Sequence, residues 1–131
     1  MKYPQFLHDN STIGLLATSC GSNVNPYRLK TQEGIKYFLD KKYNIKRGHR
    51  VFAMKNAVSA PHHIRALDFN KMYKNKNIDF LWSTGGGEIM VGMLPYIDFE
   101  KIKWFNNYNI VLRDGMFETM ILFKSVLHSW R

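Results

Sequence analysis

Three consecutive glycines, Gly85, Gly86 and Gly87, followed by Glu88, are the residues of this sequence best suited to hold a reacting group. A run of strand formers precedes them, with Ile78, Phe80, Leu81 and Trp82, and a helix-like segment at residues 88–94 follows, closed by Pro95. A buried strand that feeds a glycine loop and then a helix is how α/β proteins build a site at the carboxyl end of a sheet. Glycine permits φ > 0 and lets the backbone approach a bound group. The first N–H groups of the next helix have no partner within it and point at whatever sits above the loop. The chemistry this suits is a backbone cradle for an anion or an oxyanion. The plainer alternative is a tight strand-to-helix turn with no ligand. Glu88 is favoured at a helix start by the dipole alone, with substrate contact as the second reading.

The other reactive side chains form no constellation. Ser19 and Cys20 lie in a loop after the first apolar run, where a nucleophile sits in some α/β hydrolases, but neither has an identifiable base. A lone cysteine of this kind is more often a small buried or loop residue. His62 and His63 are adjacent, so they cannot both face one metal ion from a helix. They read as surface residues near a helix start. His8, His49 and His128 are isolated. No metal and no cofactor is expected.

The elements that must position the glycine loop follow from the chain order. Residues 12–18 (TIGLLAT) form a continuous apolar run, the pattern of a strand covered on both faces. Residues 19–25 are loop chemistry, and Pro26 suits the first position of a helix over 27–40. Leu29, Ile35, Phe38 and Leu39 would be that helix's apolar face. Residues 43–45 are short and β-like, and 51–54 are a further apolar run. Ser59 could cap a helix over 61–73 in which Ile64, Leu67, Asp68 and Met72 share near-helical spacing and Arg65, Lys71 and Lys74 face outward. Asp98 could cap a brief turn at 99–103, and Tyr27, Tyr37, Tyr43 and Tyr73 are expected to pack in the core or at its rim. Strand and helix alternation argues for an α/β fold, a flavodoxin-like parallel sheet with helices on both faces. Right-handed crossovers would bring the 19–25 loop and the glycine loop to one edge.

The chain has 131 residues, 45% of them hydrophobic and 15% aromatic, a globular composition of single-domain size. Its net charge of +9 raises the possibility of a nucleic-acid partner. The lysines are scattered, however (Lys30, Lys41, Lys74 and Lys101 among them), so a solvated exterior ranks above nucleic acid. The single cysteine, Cys20, fits a reducing, cytoplasmic setting. No apolar stretch approaches membrane-spanning length, so no membrane partner is expected.

Four stretches together resemble one family: TIGLLATSCG near the start, RALDFNKMY at 65–73, DFLWSTGGGE at 79–88 and MLPYIDFEKI at 93–102. Their order and spacing look like the N-terminal half of the LD-carboxypeptidases, serine peptidases that trim murein tetrapeptides and are grouped with the microcin C self-immunity proteins. The resemblance covers residues 1–103, leaving 104–131 as a divergent tail expected to add one strand and one helix. It implies an α/β N-terminal domain, a separate C-terminal domain, a Ser–His–Glu triad without metal, and a peptide or peptidyl small molecule as substrate. It also implies that the glycine loop forms the active-site wall near the oxyanion region, with the Ser19 loop helping to line the site. The family serine lies in a GYSD-like turn after the next strand. Here NIVLRD at 109–114 matches that strand, with Arg113 where the serine should be and Asp114 at the Asp of the turn. An arginine offers no attacking oxygen. The sequence therefore reads as a truncated or frame-disrupted relative, inactive alone, that self-associates through the surface its missing domain would cover. The alternative is a stand-alone module that binds a small anionic ligand on the glycine loop.

Overall fold

In a computed structural model, residues 7–86, 88–100 and the strand Asn109–Val111 are described. The elements run β1 (Thr12–Leu16), α1 (Tyr27–Asp40), β2 (Asn44–Arg47), α2 (His62–Tyr73), β3 (Phe80–Ser83), a 3-10 helix (Glu88–Tyr96) and β4 (Asn109–Val111). All strand pairs are parallel and the sheet order is β2-β1-β3-β4. The α/β, flavodoxin-like expectation holds. β1 is central because both its neighbours bond to it, with Ile13 opposite Ile45 on one side and Phe80 on the other. That explains its unbroken apolar sequence. After β2 the chain returns across β1 to build β3, so the strand order switches direction between β1 and β3. In open α/β sheets ligands bind outside the carboxyl ends of the strands at such a point.

The two faces are packed unequally. One face holds the core: Leu16, Ala66, Phe69, Met72, Tyr73, Ile78, Leu81, Met90, Met93 and Ile97 form a single buried cluster. Burying side chains the size of Phe69 or Met93 contributes about 2–3 kcal/mol each. Gly14 permits this closeness, since a Cβ there would meet Leu81 Cδ2 at 2.6 Å. On the other face α1 has no buried residue. Phe38 sets its ring edge-on to Trp82 with centroids 4.9 Å apart, and a cavity of about 110 Å³ remains between α1 and the sheet. None of the helices among the described residues is long and apolar enough to cross a membrane.

Several local expectations need correction. On α1, Ile35 and Phe38 are half-buried, whereas Leu29 and Leu39 are exposed, as are Tyr27 and Tyr37. The helix presents only a narrow stripe to the sheet, too narrow to cover its other apolar residues. Pro26 stands at the N-cap position, so the helix starts at Tyr27. On α2 the inward face is Arg65, Ala66, Phe69, Met72 and Tyr73, while Leu67 is 61% exposed. The helix is thus rotated from the face expected, because a buried polar anchor, Arg65, outweighs the apolar pattern. Ser59 does not cap α2, for its hydroxyl donates to the Ala17 carbonyl at 2.8 Å and Pro61 holds the N-cap position. The second strand is Asn44–Arg47, and Val51 is a buried turn residue instead of a strand. The segment after the glycines is 3-10 and extends through Pro95 to Tyr96. Its interior Gly92 and Pro95 both disfavour a regular α-helix. Phe99 and Glu100 open a further helical turn, and residues 101–103 lie outside the described residues.

Candidate functional site at the carboxyl edge of the sheet

The carboxyl ends of β1 and β3 meet in register, with Leu16 opposite Ser83 and the Thr84 N–H donating to the Leu16 carbonyl at 2.8 Å. Beyond that point a chain of hydroxyls joins the two loops. Thr18 Oγ1 lies 2.6 Å from Ser83 Oγ, and Ser83 Oγ lies 2.6 Å from the Gly85 carbonyl. A carbonyl only accepts, so the one Ser83 proton goes to Gly85. Thr18 must then be the donor to Ser83. The direction of the relay is fixed without seeing a hydrogen. Both hydroxyl residues are buried, Ser83 completely. The relay holds the Gly85 carbonyl inward against the sheet. Gly85 also lies against Cys20, where a Cβ would stand 3.2 Å from its Sγ.

Arg65 ties the same edge together from the α2 side. It is 1% exposed. Nε donates to the Ala60 carbonyl at 2.8 Å, Nη1 donates to the Thr18 carbonyl, and both Nη atoms lie 3.3 Å from the Ile89 carbonyl. Nη2 also meets His62 Nδ1, which accepts. One guanidinium thus binds the loop after β1, the lead into α2 and the segment just past the glycines. The five donors of arginine in a planar fork make this possible, and lysine could not reproduce it. Desolvation by burial lowers its pKa, yet arginine remains protonated at neutral pH. None of these partners is a carboxylate.

Of the residues singled out from the sequence, Gly85 and Gly86 lie at the carboxyl edge beside the Ser19–Cys20 loop. Ser19 is buried and its carbonyl accepts from the Ser59 N–H at 2.9 Å. Cys20 is a free, half-buried thiol. Glu88 opens the 3-10 helix. Gly87, the Glu88 side chain, Arg113 and Asp114 lie outside the described residues. His62 and His63 are exposed at the start of α2, and no group of three metal-ligating side chains occurs among the described residues. The residues sequence reasoning missed are Thr18, Ser83 and Arg65. Arg65 stands in the RALDF segment that carried the family likeness, but its charge suggested an outward position.

Comparison with known proteins shows the family. The sequence model of the LD-carboxypeptidase N-terminal domain matches residues 13–112. The chain belongs to the LD-carboxypeptidase family. Among solved structures this LD-carboxypeptidase-family chain is similar to the microcin C7 self immunity protein MccF in an inactive-mutant apo state. The TM-score is 0.73 at 24% identity, over 79% of this chain and 31% of that one. An MccF-like protein from Bacillus anthracis str. Ames matches at TM-score 0.69 and 18% identity, over 80% of this chain and 32% of its own. An MccF-like protein from Streptococcus pneumoniae, solved in complex with AMP, matches at TM-score 0.62 and 19% identity, over 73% and 29%. The chain therefore spans about three-tenths of the length of these solved relatives. At these identities the likeness is one of fold. No curated protein sequence matches the chain.

Proposed function

We propose that these 131 residues form the substrate-facing N-terminal wall of a serine-type LD-carboxypeptidase-like site and do not hydrolyse an amide bond alone. The observation that carries this reading is the glycine loop at the β1/β3 switch point, its first carbonyl pinned inward by Ser83. With that carbonyl turned to the sheet, the Gly86 N–H on the opposite side of the same peptide plane is directed away from it, the orientation an oxyanion donor needs. The attacking serine and its glutamate and histidine partners are expected in further polypeptide, of the same chain or another. Residue 113, matched to the family serine, is arginine. The substrate class is a peptide or peptidyl small molecule, from murein recycling or microcin-type detoxification. Relatives solved with aspartyl sulfamoyl adenosine and with AMP support a small-molecule site of this kind. A cytoplasmic location fits the single cysteine.

The test is release of the terminal D-alanine from a murein tetrapeptide, followed by mass spectrometry. The 131-residue chain should give no release above buffer, and a serine-directed fluorophosphonate should leave it unlabelled. Turnover that disappears on Ser19→Ala would overturn the reading and place the nucleophile within the chain.

A further inference from the structure

A second concavity opens on the α2 side of the same edge, a cleft of about 620 Å³. Arg50, Lys55, His62, His63 and Arg65 line it, with Tyr96 at one wall. No carboxylate lines it among the described residues. Its charges come from three separate places in the chain, the turn after β2, a tight turn at Lys55–Val58 and the start of α2. The α2 N-terminus has no side-chain cap, and its first hydrogen-bonded N–H is that of Ile64, donating to the Pro61 carbonyl at 3.1 Å. The unpaired N–H groups and the positive end of the helix dipole add to the same field.

Arg65 adds a buried charge of its own behind the cleft wall. A buried guanidinium loses most of its hydration and ordinarily recovers it from a carboxylate. Here its partners are carbonyls of Thr18, Ala60 and Ile89 and the neutral nitrogen of His62. Carbonyl dipoles offset part of the cost but leave the positive charge uncancelled. At the cleft wall this uncancelled charge adds its field to that of the basic rim, although its own N–H groups are already bonded.

We propose that the cleft binds a phosphate-bearing small molecule. A dianion is favoured over a monocarboxylate because Arg50, Lys55 and Arg65 bring three permanent cations to one concavity, with two imidazoles beside them. The volume exceeds what inorganic phosphate alone would fill, leaving room for the group that carries it. Tyr96 and the His63 ring, with centroids 6.0 Å apart, would flank that group. The cleft adjoins the segment just past the glycine loop through Ile89 and Arg65, and phosphate binding there does not depend on the hydrolase reading.

The experiment titrates the 131-residue protein with inorganic phosphate at constant ionic strength, reading the thermal midpoint and binding heat. Sodium acetate is the carboxylate arm. Arg50→Glu and Lys55→Glu reverse exposed rim charges. Lys36→Glu makes the same charge change on α1, across the sheet. The expected result is a saturable rise in midpoint with phosphate, retained in Lys36→Glu and weakened about tenfold or more in each rim variant. Circular dichroism confirms that the variants fold. Equal response in all variants would reduce the effect to general screening, and no saturation with phosphate would remove the site. Acetate binding as tight as phosphate would overturn the assignment of a dianion.

Discussion

Removing the Ser83 hydroxyl should cost more than removing the Thr18 hydroxyl, although the two share one hydrogen bond. Ser83 is fully buried and makes two bonds, accepting from Thr18 and donating to the Gly85 carbonyl. Ser83→Ala deletes both and leaves a buried donor and a carbonyl unsatisfied. A lost hydrogen bond costs about 1 kcal/mol and an orphaned buried group about 1–3 kcal/mol, so a loss of about 3 kcal/mol is expected. Thr18→Val keeps the shape and leaves the Ser83 proton on Gly85, so its loss should be about 1 kcal/mol. The double variant no longer strands the Thr18 donor, and its loss should be about 2 kcal/mol, less than the sum of the singles. Urea unfolding followed by tryptophan fluorescence reads all three, with Trp82 packed on Phe38 as the reporter. At roughly 3–4 °C per kcal/mol for a chain of this size, Ser83→Ala should lower Tm by about 10 °C. Equal losses for the two single variants, or strict additivity in the double, would refute the assigned direction of the relay.

Other substitutions probe the same framework. Arg65→Met leaves three backbone carbonyls without their donor and should lose about 3–5 kcal/mol in urea unfolding, with Arg65→Lys recovering only part. Gly21→Ala would drive a Cβ into the Ala53 carbonyl, a backbone atom that cannot swing away, so a loss of about 3 kcal/mol is expected by denaturation. At Gly92→Ala the three nearest atoms a Cβ would meet all belong to the His62 ring, a side chain that can swing away, so its smaller loss of about 1 kcal/mol should shrink in a His62→Ala background. Ala57 has φ of 62° beside Asn56 at 51°, so Ala57→Gly should raise stability by about 0.5–1 kcal/mol, measured as a higher urea midpoint.

Elements with a strong local signature were legible in the sequence. The α1 helix ends where composition placed it and begins one residue after Pro26, and the apolar run at residues 12–18 contains the central strand. The turn at Gly85 and Gly86 was visible because glycines after a strand mark a tight strand-to-helix connection. What escaped depends on contacts between distant residues. Thr18 and Ser83 are 65 positions apart, and no local pattern announces that one donates to the other. Arg65 looked like an outward cation on a helix whose carbonyl partners come from three other segments. The scattered basic residues behaved the same way. Arg50, Lys55 and Arg65 are dispersed in the sequence and converge only when the turns after β2 fold back on α2.

A substrate face at the β1/β3 carboxyl edge would report binding through its own amides. Amide chemical-shift mapping on the 131-residue chain with a murein tetrapeptide tests it most directly. Perturbations should cluster at Thr18, Ser19, Cys20, Gly85 and Gly86. Saturable perturbations confined to the opposite edge, around Asp9, Asn10 and Ser11, would contradict it.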